Sequence, residues 1–456
     1  MDYDVVVIGC GSAGSRAAAA AQESGAKVLA LDGAEELGGL CILRGCMPTK
    51  TLLETAHRLH DVKDAGRFGI KVGSVELDFA AQMERMRQLV ARFQRAKVGS
   101  LEKASYELRR DSARFTGPNT IEVGGEEIRA KAFVIATGSV VREFGFECPP
   151  GVLLDSDDMF KLTAAPARAM VVGAGAVGLE FAQWLARVGS EVVLSARGRL
   201  FHRSDLEVGA ELEAALSEEL TVRTQTTVQA VRPLEAGGVE VELEHADGTR
   251  ETHAVDVILN ATGRVPNVAP LNIEALGLSP EDLRVGHTMR TRLGHVFVAG
   301  DTTGQRQILH EANLEGRVAG LNAAAVALGR EVAAGYDLTT PAVEVVFSDP
   351  PVAFLGQTPQ DLTAAGISHS VALKRFPQQG RGIVVGAQHG FVRLVADDEG
   401  QILGCQIIGP RADDLIHIPT AVVRCGGGVA EMAKIPWYHP TLAEAFIEVA
   451  RDLVQK

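Results

Sequence analysis

Two stretches of the chain share one order of apolar and polar positions. Residues 4–32, DVVVIGCGSAG…GAKVLALD, open with a short, continuous, valine-rich apolar run, which predicts a strand buried on both faces. A turn of pattern G-x-G-x-x-G, an Ala-rich helical stretch, a glycine stop and a second apolar run follow. Residues 168–197, RAMVVGAGAVG…GSEVVLSAR, repeat that order at nearly the same spacing, so each copy reads as a βαβ opening. Downstream of each lies a β-branched run ending in Ala-Thr-Gly: AFVIATGSV at 132–140 and DVILNATGRVPN at 256–267. This doubling predicts two nucleotide-binding domains of similar design. The proline-bearing stretches ECPPG (147–151) and RVPNVAP (264–270) mark crossings between them. After GYDLTTPA (335–342) the fingerprints cease, and strand-like runs alternate with helices to the C-terminus. The expected class is α/β, with two Rossmann-like dinucleotide-binding domains and a C-terminal α+β domain.

Composition narrows the picture. A chain of 456 residues, 46% hydrophobic and 23% charged, has material for about three globular domains rather than disorder. The formal charge of -13 argues against nucleic acid as the main partner, since phosphate binding needs a concentrated basic surface. One basic run, ERMRQLVARFQRAK at 84–97, carries Met86, Leu89, Val90 and Phe93 at helical spacing, so its arginines are expected on a solvated helix face. The N-terminus MDYDVVVIG is acidic where a signal peptide is basic, and no apolar run reaches the ~18 residues of a membrane span. A cytoplasmic protein is expected. Cys10, Cys148, Cys405 and Cys425 lie far apart and are expected as reduced core thiols.

In Gly9-x-Gly11-x-x-Gly14 the first glycine makes the strand-to-helix turn, the second admits a pyrophosphate to the backbone, and the third lets helix pack on strand. Asp32, closing the second strand, stands where a carboxylate accepts hydrogen bonds from an adenosine ribose. The second copy, Gly173-x-Gly175-x-x-Gly178, departs there. Aligning Gly189 with Gly25 sets Ala196 opposite Asp32, with Ser195 before it and Arg197 after it. Loss of the carboxylate and gain of arginine suit a 2′-phosphate, so this copy is expected to prefer NADP to NAD, with Arg197 and Arg203 as phosphate ligands. The competing view is that ARGRLFHR is a basic, solvated loop.

Two dinucleotide sites suggest a flavin and a nicotinamide, hence electron transfer, and the pair Cys41 and Cys46 then needs a role. On a regular helix, Cα atoms five residues apart lie roughly 8 Å from each other, beyond the reach of about 7 Å for a disulfide. The two can bridge only where the helix is irregular, and Gly45 and Pro48 offer irregularity. A disulfide of that kind inside the cell is more often catalytic than structural. Zinc competes through His57 and His60, but that spacing is tighter than usual, and no metal is expected. A pair of inert buried thiols is the remaining alternative.

Together GCGSAG with Asp32, GGLCILRGCMPTK, GAGAVGLE, ATGRVPN, VFVAGD and WYHPTLAEAF resemble the flavin-dependent pyridine nucleotide-disulfide oxidoreductases, the family of glutathione reductase and dihydrolipoyl dehydrogenase, over essentially the whole length. The resemblance implies an FAD-binding domain in 1–147 and 266–336, an NAD(P)-binding domain in 148–265 and a dimerisation domain in 337–456. It implies that Cys41 is the interchange thiol and Cys46 the thiolate held against the flavin ring. Lys50 matches the lysine beside flavin N5, and Glu180 its buried partner. Asp301 would bind the ribityl chain, while Gly39, Thr137, Gly138, Gly263 and Gly300 would contact the dinucleotides. His439 resembles the base that deprotonates the interchange thiol, oriented by Glu444; family members supply that pair from the other subunit of a homodimer.

The chain also departs from the family, with Leu40 before Cys41 and Leu43-Arg44 before Gly45. Arg44 lowers a thiol pKa, meets an anionic substrate or points to solvent, and these three readings stay open. The expected activity is electron transfer between NAD(P)H, FAD, a Cys41–Cys46 disulfide and a dithiol or disulfide substrate, after the manner of dihydrolipoyl dehydrogenase. The alternatives are an NADPH-dependent reductase of a small thiol disulfide and a non-catalytic flavin redox sensor.

Overall fold

The computed structural model describes residues 1–201, 205–336 and 342–455. Its contacts divide the chain into two compact units, one of residues 1–49, 84–143 and 263–338, the other of residues 50–83, 144–262 and 339–456.

The first unit is built on β1 (Tyr3–Ile8), α1 (Ser12–Glu23) and β2 (Val28–Leu31). Val5, Val6 and Val7 are fully buried, as a central parallel strand covered on both faces requires. Short α2 (Leu40–Leu43), the start of α3 (Cys46–Asp64) and most of α4 (Phe79–Glu102) follow, then β3 (Glu107–Arg109), β4 (Ala113–Gly117), β5 (Thr120–Val123) and β6 (Glu126–Ile135). The sheet runs β3-β2-β1-β6-β5-β4, with Val296–Val298 also paired to β6. β1 is parallel to both β2 and β6, so the fingerprint turn and the Ala136-Thr137-Gly138 turn leave the same end of adjacent strands. The helix Leu309–Ala327 fixes α1 from outside: a Cβ on Gly316 or Gly320 would lie 2.1 or 2.2 Å from the carbonyl oxygens of Ala13 or Ala17. Those glycines let two backbones touch where any side chain would hold them apart. Ser139–Val141 pairs antiparallel with Arg264–Pro266, joining the two strands on which the chain leaves this unit and returns to it.

The second unit repeats the opening in β7 (Arg168–Val172), α5 (Ala176–Arg187) and β8 (Glu191–Ala196), with β9 (Val257–Asn260) parallel to β7 in the place β6 holds beside β1. A three-stranded antiparallel sheet spans 226–255. A second, five-stranded antiparallel sheet is formed by segments of residues 343–408, and the helix Ala445–Val454 packs on it through Phe446 and Val449. The α/β class with two Rossmann-like units and an α+β C-terminal part is therefore as expected.

The basic run lies on α4 with Arg85, Arg87, Arg92 and Arg95 exposed and Met86 buried, as its periodicity predicts. The cysteine expectation needs correction. Cys10 and Cys405 are core residues, but Cys148 is half-buried, and Cys425 is exposed at the C-cap of a helix, just before the exposed Gly426. Among the described residues, no helix is long and apolar enough to cross a membrane.

Candidate active site

The first fingerprint forms a cradle of bare backbone. Gly9 turns at φ +96°, and a Cβ there would meet Ala136 O at 2.3 Å; one on Gly14 would lie 1.7 Å from Gly9 O. Gly39, at φ +78°, brings its own backbone up to Gly11. Asp32 is held from behind, its carboxylate accepting hydrogen bonds from Cys10 N at 2.9 Å and Ala34 N at 3.0 Å while the residue stays partly exposed. The Thr137 hydroxyl is buried with no hydrogen-bond partner among the described residues. A backbone slot at the start of a 12-residue helix, an oriented carboxylate and an orphaned hydroxyl fit a dinucleotide.

Both cysteines reach the same place. Gly11, Cys41, Cys46, Gly138, Gly300 and Asp301 line one cleft of the first unit. The chain is irregular between the cysteines: α2 ends at Arg44, with φ -145°, and α3 begins at Cys46. Gly45 folds so closely that its Cβ would lie 3.2 Å from Cys41 Cα and 3.0 Å from Leu40 O. Pro48 sits in the first turn of α3, where a missing N–H costs nothing. Asp301 is fixed by Ser139 Oγ, which donates to it at 2.7 Å, and Arg264 in turn donates to Ser139. Gly300 N donates at 2.7 Å to Glu315, a buried carboxylate. Burial first, with the charges of Glu311 and Asp301 adding, pushes Glu315 up to about 7 despite that bond. Neither Ser139 nor Glu315 was foreseen from sequence.

In the second unit, Lys50 Nζ lies 2.9 and 2.8 Å from the two oxygens of Glu180, which is almost wholly buried. Glu180 also accepts from Phe347 N at 3.1 Å, and the Lys50 ammonium stands 4.8 Å above the Phe347 ring. One heptad further along both helices, Arg187 donates to His57 Nδ1 at 2.7 Å and pairs with Glu219 and Asp349. Segment 347–349 is thus fastened to α5 at three points, since Gln183 also bonds both backbone groups of Asp349. Lys50 stands one turn beyond Cys46 on α3.

The second fingerprint copies the first: a Cβ on Gly173 would meet Ala261 O at 2.2 Å, and one on Gly178 would meet Gly173 O at 1.8 Å. Gly175 faces open space, and Gly263 turns at φ +117° after the second Ala-Thr-Gly. Ala196 is buried at the end of β8, Ser195 is tied to Thr226 at 2.9 Å, and Arg197 is exposed. Arg203 lies outside the described residues. Near the C-terminus His439 Nδ1 is 3.0 Å from Glu444 Oε1, and Glu444 also accepts from Thr441 N at 2.7 Å. That backbone bond first, then His439, holds the Glu444 carboxyl below its ordinary range. The imidazole itself is 79% exposed.

Known proteins resemble this chain over nearly its whole length. Residues 3–316 match the pyridine nucleotide-disulphide oxidoreductase family, and residues 342–450 match its dimerisation domain. The chain is 36% identical to a dihydrolipoyl dehydrogenase of Thermus scotoductus, over 99% of this chain and 97% of that protein. It is 32% identical to a dihydrolipoamide dehydrogenase of Chaetomium thermophilum, over 100% and 92%. Against a leghemoglobin reductase of Vigna unguiculata identity is 31%, over 100% and 88%. The solved structure of RclA, an HOCl-induced flavoprotein disulfide reductase of Escherichia coli, has the same fold at TM-score 0.84 and 22% identity, covering 99% of this chain and 100% of that one. With its doubled glycine cradle and its cysteine-lined cleft, the chain belongs to the pyridine nucleotide-disulphide oxidoreductases and is an oxidoreductase.

Proposed function

We propose that the chain is an FAD-dependent disulfide oxidoreductase of dihydrolipoyl dehydrogenase type, moving electron pairs between NAD(P)H and a dithiol or disulfide substrate through a Cys41–Cys46 redox disulfide. The observation that carries it is that both cysteines line the cleft that also holds Gly11, Gly138 and Asp301. Bound there, FAD supplies two-electron chemistry between a nicotinamide and a disulfide.

The chain's residues have separate tasks. Gly9, Gly11, Gly14 and Gly39 give backbone room for the diphosphate, Asp32 accepts from the ribose, and Thr137, Gly138, Gly300 and Asp301 hold the flavin half. Cys46 begins a 19-residue helix, whose positive end favours a thiolate. Cys41 attacks the substrate disulfide, one sulfur of which leaves as thiolate while a mixed disulfide forms. His439 takes the Cys41 proton; Glu444 occupies Nδ1, fixing the tautomer and leaving Nε2 to exchange it. Lys50, locked by Glu180, keeps a fixed positive charge one turn from Cys46.

A homodimer, with His439 serving the partner's cleft, is supported by the dimerisation-domain match and by the exposure of the imidazole. Gly173, Gly175, Gly178 and Gly263 would hold the nicotinamide nucleotide. The buried Ala196 and exposed Arg197 favour NADPH over NADH, and with it a second reading, a reductase of a small thiol disulfide. Steady-state assays with lipoamide and glutathione disulfide, each against both nicotinamides, test the proposal; a flavin-loaded protein inactive in every combination would leave the redox sensor as the better reading.

A further inference from the structure

Lys97 lies inside the basic run on α4, yet it does not share the fate of its arginines. Its ammonium is half-buried and donates to Ser15 Oγ at 2.7 Å, while Ser15 Oγ donates to Gly11 O at 2.7 Å. The lysine is therefore tied to the first turn of α1, through the residue that braces the middle glycine of the fingerprint. Among the described residues no carboxylate lies within 4 Å of its nitrogen, whereas Lys50, Lys131 and Arg109 all have one. Burial lowers the Lys97 pKa from the ordinary lysine value, and exposed Arg16 adds to that, while the Cys10 thiol opposes it. An ammonium partly stripped of water and left without an anion is costly unless an anion arrives.

Two hydrogen bonds set α4 beside the first fingerprint. One turn earlier on α4, Gln94 donates to Leu37 O at 3.1 Å, so α4 grips both the fingerprint helix and the loop leading from Asp32 to Gly39. These are the two walls of the backbone slot. The second fingerprint has no such device, for Leu179, fully buried, holds the place of Ser15.

We propose that Lys97 is a diphosphate-binding residue of the first dinucleotide site, held by Ser15 so that its ammonium meets the negative charge that FAD brings to the fingerprint helix. It rests on the proposed FAD site and adds to that site a cation, contributed by α4, that the glycine pattern does not contain. The bond is electrostatic and hydrogen-bonded, so its loss weakens binding and flattens the salt dependence.

The test uses full-length apoprotein titrated with FAD by flavin fluorescence at 50 and 500 mM KCl, together with the melting temperature of the apoprotein. Lys97→Met is expected to raise the FAD Kd about tenfold or more at low salt and to lose most of the salt dependence, while Lys97→Arg keeps affinity within about threefold of the original. Ser15→Ala, which leaves the charge but frees it, gives a smaller loss. If Lys97→Met binds FAD as tightly as the original chain, or if only the apoprotein melting temperature falls, the lysine is a helix tie and the proposal is wrong. Failure of the unsubstituted chain to take up FAD brings down the flavin site as well, which separates the two failures.

Discussion

At Gly9 and at Gly173 the chain turns at φ +96° and +109°, and a Cβ at either place would collide with a carbonyl oxygen of the neighbouring Ala-Thr-Gly turn. Gly14 and Gly178 are equally hemmed in, and Gly25 and Gly189 end the two helices at φ +90° and +113°. The side chains on these matching frames differ. Where the first copy has Asp32, Ser15 and Arg16, the second has Ala196, Leu179 and Glu180. Asp32 accepts two backbone hydrogen bonds and keeps an exposed face; Ala196 is buried, with exposed Arg197 after it. Arg16 is exposed, whereas Glu180 is buried and spent on Lys50 and Phe347 N. The glycine frame is duplicated nearly unchanged, while the proposed choice of nucleotide and the proposed link to the cysteine pair rest on a few side chains at fixed positions.

Breaking each frame separately should have the largest effect. Gly14→Ala removes FAD and hence all turnover, a loss of at least about 1,000-fold, because the clash at 1.7 Å involves backbone and cannot relax. Gly178→Ala is expected to leave the protein yellow, with the flavin no longer reduced by either nicotinamide, as stopped-flow absorbance would show. His439→Ala touches neither frame: flavin reduction by nicotinamide should persist while disulfide turnover falls by about two orders of magnitude or more.

A pH series separates the units by stability. Glu315, in the first unit, has a folded-state pKa of about 7, above its unfolded value near 4.3. The fold favours its neutral form, so stability is complete below the unfolded pKa and is lost as pH rises through 7. Glu315→Gln should remove that slope and unfold at higher urea than the original chain at pH 8, by about 3 to 4 kcal/mol, with no difference near pH 4. The smallest effect belongs to the second frame: Arg197→Ala should lower kcat/KM for NADPH about tenfold and leave NADH nearly unchanged. Equal losses with both nucleotides would remove the arginine from the 2′-phosphate.

The frames were legible because glycine spacing records close backbone approach directly, and strand periodicity supplied their context. The helical face of 84–97 was legible for the same reason, except at Lys97, whose inward turn depends on where α1 lies. Lys50 and Glu180 are 130 residues apart, and only family resemblance paired them, since no local pattern encodes a contact of that range. The contact of Arg187 with His57 and Asp349 was missed: the sequence left His57 as a poorly spaced zinc ligand or a helix-surface residue, whereas its ring accepts from a buried guanidinium. Ser139 and Glu315 gave no signal because each acts by orienting a backbone or side-chain group brought near by the sheet topology.

The most direct test is a thiol count on the purified, FAD-loaded protein, alkylated under denaturing conditions before and after anaerobic addition of one equivalent of NADPH or NADH, with the labelled sites mapped by mass spectrometry. The chain has six cysteines. Four should be labelled before reduction and all six after, the two new labels falling on Cys41 and Cys46. Labelling of all six before reduction, or two new labels anywhere else, would contradict a redox disulfide between those residues.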